Sequence, residues 1–184
     1  KVFAIVAGVV AASVLLLGPA AADAIRYRPG VPIPSPLHER ILNYHSDIVI
    51  NPDASLTVTE TIQVNARHIR IKQGIFRDFP TIYPLGWGLR SLVGFEILSV
   101  TRDGKPEPWF TRSLTNGVRI YIGQRGRFVS RGLHTYTIKY RTTRQLTFLP
   151  DLDGLSWNVN GTDWEFTIDR VEAVVTLPPG ATVK

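Results

Sequence analysis

The chain contains no cysteine and no methionine, and has only four histidines among its 184 residues. Without cysteine there is no disulfide, no thiolate metal site and no thiol nucleophile, so the fold must rest on its hydrophobic core. A chain without methionine that opens at Lys1 reads as a trimmed piece of a longer reading frame. His38, His45, His68 and His134 are dispersed and lack paired ligand spacing, so no metal is expected. No Gly-x-Ser-x-Gly nucleophile elbow occurs, and no glycine-rich phosphate cradle follows a strand. No cofactor is expected either. Acids are the minority charge, 15 against 21 basic residues, which leaves a net charge of +6.

What is present begins with a long apolar run, "KVFAIVAGVVAASVLLLGPAAADA", broken by Gly18-Pro19 and followed by small residues. This pattern predicts a secretory signal helix over residues 1–24, cleaved after Ala22-Asp23-Ala24 or Ala20-Ala21-Ala22; an uncleaved anchor is the alternative. Either way the remainder lies on the periplasmic or extracellular face of the cytoplasmic membrane. Lys1 and Asp23 cancel, so the basic excess belongs to the exported part. There it would favour anionic lipid headgroups or acidic wall polymers; nucleic acid is not an expected partner. Residues 25–38, with four prolines in eight positions, predict an extended tether, and folding starts at Glu39.

From Glu39 to the end the period is two. In "DASLTVTETIQVNA", Leu56, Val58, Ile62 and Val64 share one face and Thr57, Thr59, Thr61 and Gln63 the other. The preceding "YHSDIVI" ends at Asn51-Pro52-Asp53, a turn cluster that predicts a hairpin. "FEILSVTR", "VRIYIG", "HTYTIKYRT", "LSWNV", "WEFTI" and "VEAVVTL" follow at short intervals between turn signals. The expectation is all-β, an antiparallel β-sandwich of immunoglobulin-like architecture over residues 39–184, cut short at its C-terminus in "TLPPGATVK".

Glu60 breaks the apolar face between Val58 and Ile62, where an unpaired carboxylate is expensive to bury, so a partner such as Arg77 or Arg70 is expected. In "GIFRDFP", Gly74 reads as a flexible corner, Phe76 and Phe79 as anchors and Pro80 as the end of ladder pairing. Asp78 then braces that corner by accepting backbone N–H groups or pairing with an arginine. The sharper reading makes Glu60 and Asp78 an acid/base pair of a carbohydrate-active or other hydrolase, about 5 to 10 Å apart. Arg125, Arg127 and Arg131 crowd one loop and form a candidate anion contact. Asp151, Asp153, Asp163 and Glu165 lie near Trp157 and Trp164, but the calcium-loop ligand series is missing. "LSWNV" and "WEFTI" across Asn160-Gly161 predict a hairpin in which Trp157 and Trp164 touch across the strands or plug the sandwich, or else form an aromatic platform for sugars.

The motifs "ERILNYHSDIVINPDASLTVTETIQV", "GIFRDFP", "GLHTYTIKYRT" and "LSWNVNGTDWEFTIDRVEAVVTLP" together resemble the predicted bacterial membrane proteins of domain-of-unknown-function family 2207. The resemblance runs from Glu39 to the end. One position departs from it: Thr167 stands where the family's pattern carries proline. The resemblance implies an exported N-terminal β domain followed by transmembrane helices, with no activity to assign to particular residues. The expected function is a noncatalytic interaction or assembly domain of a membrane-anchored protein, its partner a cell-envelope component or membrane protein.

Overall fold

The computed structural model describes residues 2–8, 12–17, 38–87, 89–161 and 164–183. The proposed cleavage sites, the proline-rich segment up to residue 37, and Asp163 fall outside the described residues. Two long hairpin strands, β3 (Arg40–Ile50) and β4 (Leu56–Ala66), form the centre of the fold. They are paired antiparallel, with Ile50 opposite Leu56 and Tyr44 opposite Ile62. The turn between them is held as its sequence predicts, because the Asp53 carboxylate accepts from both the backbone N–H (3.1 Å) and the hydroxyl (2.6 Å) of Ser55. Their alternation matches the period-two reading: Leu56, Val58, Ile62 and Val64 are fully buried while the threonines between them are half-buried.

Five strands complete the neighbourhood of this hairpin: β8 (Phe95–Arg102), β9 (Lys105–Pro106), β12 (Gly132–Thr142), β15 (Val171–Thr176) and β2 (Ala12–Leu17). The order is β2-β15-β3-β4-β12-β8-β9. Pairing is antiparallel from β3 to β9, but β15 joins β3 in parallel, with Val171 opposite Tyr44 and Thr176 opposite Val49. Spacing along the chain does not encode that direction, since β15 arrives over a long connection and not through a tight turn. Asp103 (φ 53°) and Gly104 (φ 76°) turn β8 into β9, an Asp-Gly pair in the left-handed conformation that tight hairpins require.

A second sheet, β10-β11-β5, comprises β5 (Gly74–Pro80), β10 (Trp109–Ser113) and β11 (Gly117–Gly123). "GIFRDFP" is therefore a strand and not the expected corner. Gly74 and Gly123 oppose each other at its end, and the chains approach so closely there that a Cβ on either would lie under 2 Å from a backbone oxygen of the other strand's segment. The inward side chains of β5 join the core: Phe79 stacks on Phe95 at 4.4 Å and meets Tyr140 at 4.9 Å. β13 (Leu146–Phe148) and β14 (Asp153–Asn158) bring Trp157 against the same ring at 6.0 Å. One apolar cluster, from Ile41 and Tyr44 through Val64 and Ile120 to Trp157, fills the interior. Each fully buried aliphatic side chain in it stabilises by about 1.5–3 kcal/mol.

A separate hairpin, β6 (Ile82–Gly86) and β7 (Leu89–Leu92), projects beyond β5. β1 (Val2–Gly8) runs parallel to β14 and to β16 (Thr182–Val183), and β2 runs parallel to β15. These parts of the apolar N-terminal run are strands, not the expected helix. The run is rich in valine, which suits a strand, and its backbone pairs with the edges of β14 and β15. "WEFTI" does not form a strand: residues 164–170 lack a ladder and follow β3 through an isolated bridge between Ile168 and Ile41, a Tyr44 N–H bond to the Arg170 carbonyl (2.9 Å) and an Arg40–Asp169 ion pair (3.0 Å). At the divergent position, the Thr167 carbonyl accepts from the Ile41 N–H at 3.0 Å.

Candidate functional site

β5 alternates like any strand, so neighbouring residues serve opposite faces. Arg77 points inward and is 4% exposed; Asp78 points outward. Inward, the Arg77 guanidinium grips the Glu60 carboxylate through Nε to Oε2 and Nη2 to Oε1, both 3.0 Å. The Tyr140 hydroxyl donates to Glu60 Oε1 at 2.8 Å, and Arg77 Nε also donates to the Tyr44 hydroxyl at 3.1 Å. Glu60 is completely buried. Burial, with the Glu60 charge beside it, pushes the Tyr140 hydroxyl well above its usual range. Tyr44 shifts the same way, mainly from burial and partly offset by Arg77. Burial opposes the charge on Arg77, but the attraction of Glu60 prevails and holds the guanidinium well above its ordinary value. Of the two partners expected for Glu60, it is Arg77 that binds it.

On the outer face Asp78 lies directly opposite Arg119 of β11. Arg119 donates to both carboxylate oxygens, each at 2.6 Å. The hydrogen bonds to Asp78 are the main reason the Arg119 guanidinium is held above its usual range. Asp78 thus ties two strands together and does not brace a turn. Glu60 points into the interior from β4 of the large sheet and Asp78 outward from β5 of the second sheet, each committed to its own arginine. A cavity of about 90 Å³ adjoins Arg77 and Asp78, and Glu60 does not reach it; it is lined also by Phe79, Tyr83, Gln145, Trp157 and Asn158 among others, with Asp78 its one acid. It has room for about three water molecules.

The outer face of β10-β11-β5 carries an aromatic and cationic array that the sequence reading passed over. Phe110 and Tyr121, cross-strand neighbours, stack at 4.8 Å with planes 8° apart, and Phe76 lies 6.2 Å from Tyr121. The Arg119 guanidinium sits 4.1 Å from the Phe76 ring centre, and Arg112 lies 5.6 Å from Tyr121. Beside this array is a groove of about 380 Å³ whose walls include Phe76, Phe110, Tyr121, Lys72, Arg125 and Phe128. The signal for it was the alternation of aromatic and arginine in "GIFRDF" and "VRIYIG", which become one face only when β5 and β11 pair.

The basic loop meets this groove at one end. Its backbone is stapled to the segment after β4: Val129 N–H donates to the Lys72 carbonyl at 2.9 Å, and His68 contacts the Val129 carbonyl and the Phe128 ring. Arg125 lines the groove, while Arg127 and Arg131 are exposed beside it. Arg70, also on the rim, is paired with Glu165 at 2.5 Å, and its backbone N–H is fixed by Glu39 at 2.6 Å. The two tryptophans form no exposed platform. Trp157 is a core residue, 6% exposed, and Trp164 lies edge-on to Tyr44 at 6.1 Å with its Nε1 donating to the Asn160 carbonyl. With no strand after Asn160-Gly161, the two indoles never become cross-strand neighbours. Asp151 is exposed and Asp153 buried, and no cluster of three or more His, Asp or Glu suited to a metal occurs among the described residues.

Residues 40–184 match the N-terminal domain of the predicted membrane proteins DUF2207. The uncharacterized protein YciQ of Escherichia coli K12 is 33% identical over 154 residues, which cover 84% of this chain. The chain spans about a quarter of that protein's length, 24%. Among solved structures, native yeast LTA4 hydrolase aligns with 59% of this chain and 15% of its own at TM-score 0.43 and 16% identity. An M1 zinc metallopeptidase of Deinococcus radiodurans aligns with 61% and 22% at TM-score 0.38 and 16% identity. Likeness at that level carries no argument about activity. Among the described residues no helix is long and apolar enough to cross a membrane. The match over residues 40–184 and the identity with YciQ place the chain in the DUF2207 family, as the N-terminal domain of a predicted membrane protein.

Proposed function

We propose that this chain is a noncatalytic, extracytoplasmic interaction domain, an immunoglobulin-like β-sandwich that holds an anionic envelope polymer on the outer face of β10-β11-β5. The observation that carries the reading is the groove itself: stacked Phe110 and Tyr121 with Phe76 beside them, and Lys72 and Arg125 on the rim. Aromatic rings give a flat contact for sugar or linker carbons, and the cations hold phosphate or carboxylate groups along it. Arg127 and Arg131 extend the positive field next to Arg125, which draws a polyanion before contact and loses strength with salt. The noncatalytic reading is supported by the commitment of Glu60 and Asp78 to separate arginines on opposite faces.

Retention of the chain on immobilised polyphosphate, a probe for the polymer class, tests this, with phosphatidylglycerol vesicles and detergent-extracted membrane proteins as parallel arms. Retention should weaken as salt rises and drop at least tenfold when Lys72, Arg125, Arg127 and Arg131 are changed to serine. Undiminished retention by that variant would remove the proposal. An Arg125→Ser variant paired with Tyr121→Ser separates the charge contribution from the aromatic one.

A further inference from the structure

The β6–β7 hairpin carries large apolar side chains that the described residues leave mostly exposed. Leu85 is 63% exposed, Trp87 101%, Leu89 65% and Leu92 57%. Trp87 also has φ 51°, a left-handed conformation that bulky side chains rarely adopt. Isolated exposed leucines are ordinary, but three leucines and a strained, fully exposed indole on one eleven-residue hairpin mark a contact surface.

The place of the hairpin in the fold says what it meets. Its base is fixed to the end of β12, with Arg144 Nη1 donating to the Leu92 carbonyl at 3.3 Å and Gly94 N–H to Thr143 Oγ1 at 3.1 Å. Thr142 is opposite Leu56, Leu56 is opposite Ile50, and β15 finishes with Thr176 opposite Val49. The hairpin therefore projects from the end of the large sheet at which β15 terminates. In this family the matched domain is N-terminal within a membrane protein, so the rest of the parent follows β15 and the short β16, which is reached through Pro178–Ala181 beside Ile50 and Asn51 at that same end. Glu39, Gly74 and Gly123, with the basic groove, lie at the other end. Exposed Arg90 and Arg144 flank the apolar residues and match the charge of anionic headgroups.

We propose that β6–β7 is a membrane-interface wedge: Leu85, Trp87 and Leu89 enter the boundary between headgroups and acyl chains of an anionic bilayer. Indole is suited to that boundary, with an apolar ring and an N–H that keeps a polar partner, and leucine to the acyl side of it. The wedge sets the β15 end of the domain on the membrane and turns the groove outward. It rests on the exposure of the hairpin and its position, independently of what the groove binds.

The test uses the chain incorporated into vesicles of phosphatidylcholine and phosphatidylglycerol whose acyl chains are brominated near the headgroup. Quenching of tryptophan fluorescence reads depth regardless of what else holds the chain to the vesicle. Quenching in the parent chain should be lost in Trp87→Phe, and Leu85→Ser/Leu89→Ser should return Trp87 to water, with red-shifted emission and several-fold greater iodide accessibility. These side chains are mostly exposed, so urea midpoints should change little and confirm that the variants fold. Equal quenching in parent and Trp87→Phe, or an indole open to iodide on vesicles, would overturn the wedge. Protection of Trp87 without lipid, rising with protein concentration or on adding membrane-protein extract, would overturn it in favour of a protein contact.

Discussion

Changing Arg77 to methionine keeps most of the side chain's length and its fit in the core but removes both hydrogen bonds to Glu60. The carboxylate would then be a fully buried charge with only the Tyr140 and Tyr44 hydroxyls, and no cation, for company. Breaking a buried ion pair from one side costs about 3–5 kcal/mol, a large part of the roughly 5–15 kcal/mol that keeps a domain folded. Glu60→Leu/Arg77→Met removes both charges but strands the hydroxyls of Tyr44 and Tyr140, at about 1–3 kcal/mol each. Adding Tyr44→Phe and Tyr140→Phe makes the whole site apolar, and stability should return to within about 2 kcal/mol of the parent or exceed it. Urea unfolding at neutral pH reads all of these, with Trp157 fluorescence as the reporter because its ring lies against Phe79 in the same core. An Arg77→Met variant that loses less than about 1 kcal/mol, or a fourfold variant no more stable than the single one, would contradict the reasoning. The fourfold variant stays informative even if Arg77→Met does not fold.

Four further outcomes are expected. Asp78→Asn should cost about 1–2 kcal/mol in urea unfolding, since it weakens a half-buried, two-pronged tie between strands and leaves the core intact. Gly123→Ala should cost about 2 kcal/mol or more, because its φ of 130° is unfavourable for alanine and the new Cβ would meet the Gln73 carbonyl oxygen at 1.9 Å; Gly126→Ala, with open space around it, should be milder. On acidification, Asp103 is the group to follow: burial alone would raise its pKa, but the His134 ring and the Thr135 N–H outweigh it and hold the carboxyl below its usual value. Its contribution is present above the ordinary carboxylate pKa of about 4 and is lost as pH falls below it, so Asp103→Asn should flatten the acid limb of a stability profile. On the alkaline side the raised Tyr44 and Tyr140 hydroxyls bind protons more tightly folded than unfolded, so stability should fall above about pH 10, and less steeply in Tyr44→Phe/Tyr140→Phe.

The period of two between Glu39 and the end was enough to establish the all-β class and, with the Asn51-Pro52-Asp53 turn cluster, the β3–β4 hairpin. It also showed that Glu60, among Leu56, Val58, Ile62 and Val64, must have a partner. These are local properties: alternation assigns a residue to a face, a carboxylate on an apolar face needs a donor, and a turn residue acts within two or three positions of itself. Pairing is not local. That Asp78 belongs to Arg119, and that Phe76, Phe110 and Tyr121 make one surface, depends on β5 and β11 lying in register. The two strands are some forty residues apart, and no spacing rule reaches across that gap. The same holds for β15, whose direction beside β3 is free in sequence and fixed only by packing. Trp157 and Trp164 looked alike in the chain and were separated by burial, and no spacing in the chain marks Leu85, Trp87 and Leu89 as the apolar residues that the hairpin leaves exposed. The sequence by itself determined which side chains require an interior and which charge requires a counterion. Tertiary structure decided which partners met those needs, and which apolar residues were left facing outward, because both depend on contacts between segments that only folding brings together.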